Sequence, residues 1–199
     1  MSGTGADPRR RTRHVTRWVA GALLLVLVGV SIVVATRPSS QAAQVQSPLV
    51  GHRVPSLAGT ALSGRRFSLQ RERGHYVYVN FFASWCPPCQ AEQPALADFA
   101  FQQGRRGARM VSVVFNDSVS DARRYVADWG IRWPVVPDSG GSIANRFGVA
   151  SPPMTFLVSP SGIVVGTWVG PVTVAQLDQM LAAARRGELF SAGTGGGDG

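Results

Sequence analysis

Short apolar runs alternate with amphipathic stretches along the middle of the chain. The run HYVYVNFFAS is rich in β-branched and aromatic residues, which is typical of a central strand buried on both faces. RMVSVVFND predicts a second buried strand, and residues 66–69 predict a short strand before them. Because these strands are separated by helical patterns, the sequence predicts an α/β fold in which helices cover both faces of a sheet.

A helical pattern follows each of the two buried strands. The first helix is predicted from Cys86 to about Gln103 and is ended by Gly104, and the second, SDARRYVADW, has Ser120 as its predicted N-cap.

The last third of the folded stretch predicts a hairpin and a closing helix. MTFLVSP and GIVVGTWVG flank a turn at residues 159–162, so we expect them to pair. TVAQLDQMLAAARR then predicts a helix capped by Thr173, whose apolar face consists of Val174, Leu177, Met180 and Leu181.

Residues 18–36, WVAGALLLVLVGVSIVVAT, contain no charged residue and follow a cluster of arginines. About 20 apolar residues cross a bilayer as a helix, and the preceding arginines favour a cytoplasmic N-terminus. The sequence therefore predicts a single-pass protein of the cell membrane with its domain on the extracytoplasmic side. The alternative is a cleaved signal peptide, with small-residue sites at residues 33–35 and 40–42.

Composition changes along the chain give the expected domain limits. We expect a basic cytoplasmic N-terminus at 1–17, the membrane anchor at 18–36, a flexible linker at 37–56, the folded domain at 57–186 and a disordered glycine-rich tail at 187–199.

The net charge of +9 comes from 20 arginines and no lysine, against 11 acidic residues. Beyond the N-terminal cluster the arginines are single or paired and are not interleaved with aromatic residues. This distribution does not indicate a nucleic-acid partner.

The only two cysteines, Cys86 and Cys89, lie in the stretch ASWCPPCQAE. A structural zinc site needs four ligands, and the three histidines do not have ligand spacing, so we expect no metal. Covalent haem attachment requires a histidine where Gln90 stands.

A structural disulfide or a redox pair remains. A bridge over so short a loop constrains the unfolded chain little, which favours the redox pair. Cys86 is predicted at a helix N-terminus, where partial positive charge stabilises a thiolate, and Cys89 one turn later can attack a mixed disulfide.

Pro87 and Pro88 reduce the number of N–H groups near the Cys86 sulfur, since proline has none. Only the Cys89 amide is left to stabilise the thiolate. We therefore predict a mild lowering of the Cys86 pKa and a reducing rather than an oxidising couple.

The stretch VYVNFFASWCPPCQAEQPAL together with GVASPPMTFLVSPSGIVVGTWVG resembles the TlpA/ResA/DsbE group of membrane-anchored thioredoxin-like proteins. The resemblance covers about 57–186. It implies a thioredoxin fold, with Cys86 as the exposed nucleophile and Cys89 as the resolving thiol, and no cofactor besides this redox disulfide.

The resemblance also implies that Pro153 is the cis-proline beside the disulfide, where partner peptides bind. Pro152 departs from the family because it keeps a carbonyl acceptor but lacks the N–H donor. This departure predicts a different backbone docking of partners.

Glu92 follows Cys89 at helical spacing, on a stripe with Leu96 and Phe99. A carboxylate there is partly desolvated, and the family motif places a glutamate at this position, so we predict that it shuttles a proton for Cys89. The alternative is an ordinary acid near a helix N-terminus. Asn80, a supporting residue of the site, stands where cytoplasmic thioredoxins carry a buried acid. The absence of an acid there strengthens the prediction for Glu92, and the alternative is that Asn80 only satisfies a buried backbone group. Trp85 is predicted to screen the site and contact partners, and the alternative is a side chain that only packs.

The resemblance implies reduction of disulfides in apocytochrome c before haem attachment, with electrons supplied by a membrane protein of the CcdA or DsbD kind. Two alternatives remain open at this point. One is an oxidase that forms disulfides in exported proteins, and the other is a non-catalytic module that binds haem or a peptide.

Overall fold

The computed structural model describes residues 47–193 of the chain. The predicted N-terminus at 1–17 and the predicted anchor at 18–36 lie outside this part. Within the described part, no helix combines the length and the apolar character needed to cross a membrane.

A six-stranded sheet organises the domain. Its strands are β3 (Val77–Phe82), β4 (Arg109–Val114), β5 (Val135–Pro137), β6 (Met154–Val158), β7 (Val164–Val169) and β8 (Phe190–Gly193), in the order β5-β4-β3-β6-β7-β8. Strands β3, β4 and β5 are parallel, and β6 runs antiparallel to β3. A separate small sheet pairs β1 (Ala58–Thr60) with β2 (Arg66–Ser68). The predicted α/β thioredoxin-like fold is confirmed in this arrangement.

Helices cover both faces of β3, whose six residues are all buried. The helices are α1 (Pro87–Gln103), α2 (Val119–Asp128), α3 (Ser142–Phe147) and α4 (Val174–Arg185). On one face Tyr78 packs against Phe99 and the apolar side of α4, which includes Leu177 and Met180. On the other face Phe81 contacts Phe147 and Phe156.

The predicted hairpin and closing helix are confirmed. β6 pairs with β7 antiparallel. Thr173 caps α4 in a capping box, in which its side chain accepts a hydrogen bond from the Gln176 amide and the Gln176 side chain accepts one from the Thr173 amide in return. Gly104 ends α1 with a positive φ of 56°, a conformation that glycine adopts without strain.

The predicted cap of α2 is wrong by two residues. Ser118 is the N-cap: its Oγ accepts from the Asp121 amide at 3.0 Å, so Ser120 falls inside the first turn. Ser118 is favoured because Asp121, three residues later, also accepts from its hydroxyl.

The folded part extends beyond the predicted limits at both ends. Residues of the predicted linker form hydrogen bonds at the start of β7. The Gly51 amide donates to the Val164 carbonyl at 2.8 Å, and the Val54 amide donates to the Gly162 carbonyl at 3.0 Å. In the predicted tail, β8 pairs parallel with β7 and Phe190 stacks on Trp168. Both segments pair with β7, which would otherwise be an edge strand with unpaired backbone groups.

Other elements were not predicted. Residues 66–69 form a strand only as far as Ser68, because Leu69 begins a 3-10 helix. The elements β1, β5 and α3 had no counterpart in the sequence prediction, since each is too short to show a period.

Candidate functional site

The two cysteines lie where the central strand passes into the first helix. β3 ends at Phe82, three residues turn the chain, and Cys86 is the N-cap of α1. Cys86 and Cys89 form a disulfide with their Cα atoms 5.2 Å apart. The arrangement is therefore the strand–turn–helix junction that the sequence predicted for a reactive pair.

A single backbone amide donates to the Cys86 sulfur among the described residues. The Cys89 N–H lies 3.2 Å from Cys86 Sγ. Pro87 and Pro88 occupy the first two positions of the helix and have no N–H to offer. The helix start thus stabilises negative charge on Cys86 less than a proline-free first turn would.

The expected exposure of Cys86 is corrected by the structure. In the disulfide form only 3% of Cys86 is exposed, and Cys89 is fully buried. The reason is the cap geometry, in which the Cys86 side chain folds back over the first turn toward the Cys89 amide and sulfur. Trp85, 54% exposed, and the exposed Pro87 and Pro88 form the solvent-facing rim of the disulfide.

Apolar side chains pack against the buried side of the disulfide. Phe82, Val114, Ala122 and Tyr125 are buried in one cluster with both cysteines. The Tyr125 hydroxyl donates to the Cys89 carbonyl at 3.0 Å. Burial, followed by the charge of Glu92, raises the Tyr125 pKa, so this hydroxyl stays protonated and keeps its donor role.

Glu92 is 2% exposed and lies on the buried stripe with Cys89, Leu96 and Phe99, as predicted. Its Oε1 accepts from Asn80 Nδ2 at 2.9 Å, and its Oε2 accepts from the Val172 amide at 3.0 Å. Desolvation raises the pKa of Glu92 to about 7, although both hydrogen bonds oppose the shift. The carboxyl can therefore take up or release a proton near neutral pH, which is the property that a proton shuttle needs.

Asn80 connects Glu92 to strand β6. Its Nδ2 also donates to Thr155 Oγ1 at 3.1 Å, and its Oδ1 has no partner among the described residues. The Asn80 side-chain amide thus bonds two side chains, and no backbone group among the described residues bonds to it.

The Pro152–Pro153 peptide bond is cis, as the family resemblance implied for Pro153. Met154, the next residue, pairs with Phe81 near the end of β3, so the cis bond lies at the same end of the sheet as the disulfide. The Pro153 carbonyl accepts from the Gly170 amide at 3.0 Å. Pro153 is buried and Pro152 is half-buried.

Hydrogen bonds connect Glu92 to both sides of this cis-proline segment, through Asn80 on one side and directly on the other. On one side it bonds Asn80, which reaches Thr155, two residues after Pro153. On the other side it bonds Val172, two residues after Gly170. The Glu92 carboxyl therefore links the active-site helix to β3 through Asn80 and to the loop after β7 through Val172.

The loop after β4 holds the two residues that precede Cys86 in place through hydrogen bonds. Trp85 Nε1 donates to the Asn116 carbonyl at 3.0 Å, and the Ser84 amide donates to Asp117 Oδ2 at 2.6 Å. Asn116 has a positive φ of 43°, which is uncommon outside glycine. Sequence patterns carried no signal for the roles of Asn116 and Val172, because both act through backbone atoms that no side chain announces.

Comparison with known proteins agrees with this geometry. The AhpC/TSA family model matches residues 50–167. Thiol-disulfide oxidoreductase ResA of Bacillus thuringiensis (strain Al Hakam) is 28% identical over 132 residues, 66% of this chain and 76% of ResA. Thioredoxin-like protein YneN of Bacillus subtilis (strain 168) is 30% identical over 169 residues, 83% of this chain and 96% of YneN.

A solved structure shares the fold. The putative thiol:disulfide interchange protein DsbE from Chlorobium tepidum superposes with a TM-score of 0.63 at 28% identity, covering 68% of this chain and 96% of that one. The family match, the curated relatives and the disulfide at a strand–helix junction agree with one another. The chain belongs to the AhpC/TSA family and is a thioredoxin-fold thiol-disulfide oxidoreductase.

Proposed function

We propose that this oxidoreductase works as a reductant outside the cytoplasm and donates two electrons to disulfides of exported proteins. The proposed substrate is apocytochrome c before haem attachment. The observation that carries the proposal is the sparse stabilisation of the Cys86 sulfur, which accepts one backbone N–H at 3.2 Å in a helix that starts with two prolines.

This sparse stabilisation bears on the direction of electron flow. A strongly oxidising pair is one whose reduced thiolate is well stabilised. Here the apolar cluster behind the pair disfavours charge, and one amide and the helix N-terminus favour it. A weakly stabilised thiolate shifts the equilibrium toward the disulfide, which makes the dithiol the better electron donor.

The reaction proceeds through a mixed disulfide. The Cys86 thiolate attacks one sulfur of the substrate disulfide, and the released substrate thiolate takes a proton from water. Cys89 then gives its proton to Glu92 and attacks Cys86 Sγ, which releases the second substrate sulfur as a thiolate. Glu92 returns the proton through solvent to this thiolate, so the second substrate thiol forms and the Glu92 carboxylate is restored. The chain loses two electrons and becomes the disulfide, and the substrate gains two electrons and two protons.

The location outside the cytoplasm is supported by the sequence of residues 18–36, which has the length and composition of a membrane anchor. No glutathione-like pool keeps thiols reduced there. We therefore propose that a membrane thiol transporter of the CcdA or DsbD kind regenerates the dithiol.

The reduction potential of the Cys86–Cys89 couple tests the direction. We expect a value of about −270 mV or lower, as for thioredoxin. A value of about −120 mV, typical of a strong oxidant, would reverse the proposal and make the chain a disulfide-forming oxidase.

A trapping experiment tests the substrate class. Cys89→Ser should accumulate a mixed disulfide between Cys86 and an oxidised peptide that contains the C-x-x-C-H sequence of apocytochrome c. Cys86→Ser is the matched control and should form none. Equal retention of the peptide by both variants without a covalent bond would instead support a non-catalytic binding module.

A further inference from the structure

The end of the sheet opposite the disulfide is rich in arginine. Because β3, β4 and β5 are parallel, their first residues lie at one end, and Cys86 follows the last residue of β3 at the other. We call this opposite region the basic end and define it by Arg65, Arg66, Arg73, Arg105, Arg106, Arg109 and Arg132. All of them except Arg109 are exposed.

A cavity of about 890 Å³ opens at the basic end, and an adjoining cavity of about 530 Å³ extends from it along the β5 edge toward the cluster behind the disulfide. They share Arg65, Arg132 and Trp133 in their lining, and Glu72 is the only carboxylate that lines either of them. Glu72 is already ion-paired with Arg109. Within residues 47–193 the exposed arginines of the basic end have no carboxylate partner, so the region presents uncompensated positive charge.

Two large apolar side chains are exposed at this end of the sheet, Phe101 beside the arginines and Leu189 next to the opposite edge strand β8. Phe101 is 88% exposed and lines the larger cavity, and Leu189 is 58% exposed just before β8. Arginines mixed with protruding aromatic and aliphatic side chains are characteristic of protein surfaces that bind at the interface of anionic membranes.

The chain also joins the domain at this end. The Val54 and Gly51 amides bond to Gly162 and Val164, and Val164 pairs with Val158, which itself pairs with Val77 at the start of β3. In sequence, residues 37–46 separate the apolar run from the first described residue, and they can span at most about 35 Å. The described chain therefore enters the domain at the basic end.

We propose that the basic end docks on the surface of an anionic phospholipid bilayer, with its arginines against lipid phosphates and Phe101 and Leu189 in the interface. The proposal rests on the membrane attachment proposed above. Docking holds the Cys86–Cys89 pair at the far end of the domain, where it faces soluble exported proteins. Release from the surface is then required before the pair can reach a membrane electron donor.

Hydrogen–deuterium exchange of the full chain in lipid nanodiscs tests the docking. We expect segments 101–109 and 130–134 to exchange several-fold more slowly in discs containing phosphatidylglycerol than in discs of phosphatidylcholine alone. High salt should remove the difference, because it screens exposed charges. Equal exchange in the two kinds of disc would overturn the proposal.

Charge-matched variants identify the surface. Arg105→Ser/Arg132→Ser should lose the lipid-dependent protection, and Arg124→Ser/Arg146→Ser, which removes the same charge elsewhere, should retain it. Identical loss in both pairs would contradict a defined docking surface. Protection by soluble polyglutamate but not by phosphatidylglycerol would also overturn the proposal and assign the basic end to an acidic protein.

The same experiment separates this proposal from membrane anchoring. Incorporation of the chain into phosphatidylcholine discs tests the apolar run alone. A chain that incorporates there but shows no protection in phosphatidylglycerol is anchored without docking. A chain that fails to incorporate loses the proposed attachment, on which the docking rests.

Discussion

Glu92 lies on the active-site helix α1 and connects it to two other parts of the site. It is a buried acid that bonds Asn80 and the Val172 amide, and burial raises its pKa to about 7. The raised pKa has two measurable consequences, one for the unfolding free energy and one for the rate of thiol–disulfide exchange.

The unfolding free energy of a Glu92→Gln variant should depend on pH differently from that of the original chain. Below about pH 4.5 the carboxyl is neutral in both folded and unfolded states and does not lower the unfolding free energy. As the pH rises toward 7 the unfolded chain ionises first, so stability is lost, by about 3 kcal/mol in total above pH 7. The variant lacks this loss and should gain about 3 kcal/mol relative to the original chain between about pH 4 and pH 8, by urea denaturation.

Glutamine fits this position because Asn80 has a free Oδ1, which can accept from the side-chain amide of the introduced glutamine after the Asn80 amide rotates. A stability difference between the two proteins that does not change with pH would contradict the raised pKa. Asp98→Asn, an exposed acid on the same helix, is the control and should show no such gain.

The same substitution should slow the step in which Cys89 resolves the mixed disulfide. Loss of a positioned proton acceptor costs on the order of 10²-fold in rate, and the inflection near pH 7 should disappear. Stopped-flow release of a fluorescent peptide from Cys86 measures this step. An unchanged rate and pH profile would leave Glu92 a structural residue only.

At the scale of elements, the start of α1 controls the redox couple. Pro88→Ala restores one N–H in the first turn, near the Cys86 sulfur. A hydrogen bond to a charged group contributes about 1.5–3 kcal/mol, so the reduction potential should rise by about 30 mV or more. Equilibration with glutathione measures the shift, and Pro48→Ala, at an exposed position away from the pair, is the control. A potential that stays constant or falls would refute the proposed role of the prolines.

The capping box of α4 anchors the loop that reaches Glu92. Thr173→Ala removes the acceptor for the Gln176 amide and should lower the unfolding free energy by about 1 kcal/mol. Thr173→Ser keeps the hydroxyl and should lose much less. Thermal unfolding of the three proteins measures the loss of unfolding free energy. Equal losses for the alanine and serine variants would show that the hydroxyl cap does not stabilise the helix.

Across the whole molecule, the sequence predicted the elements that show a clear period. Strands β3 and β4, the hairpin and the long helices were evident from residue type, because each spans enough residues to display a buried face. The short strands β1, β5 and β8 were missed, since three or four residues show no period and their pairing depends on distant segments.

The site was predictable to the extent that side chains carry its chemistry. The CxxC pair was found from its spacing, Glu92 from helical spacing together with the family motif, and Pro153 from the family resemblance. The Val172 amide, the Asn116 carbonyl and the Tyr125 hydroxyl were missed, since they reach the site from residues 27 to 83 positions further along the chain than Cys89, through contacts made only in the folded state. The burial of Cys86 was missed for the same reason, because it follows from how the cap folds.

The most direct test of the account is the reactivity of Cys86 in the reduced, folded chain. Iodoacetamide followed by mass spectrometry should label Cys86 selectively, with a rate that rises through a pKa below the usual value of about 8.5, while the fully buried Cys89 stays unmodified. A Cys86 that remains unlabelled in the native protein, or that reacts no faster than Cys89, would contradict the assignment of this pair as the redox centre.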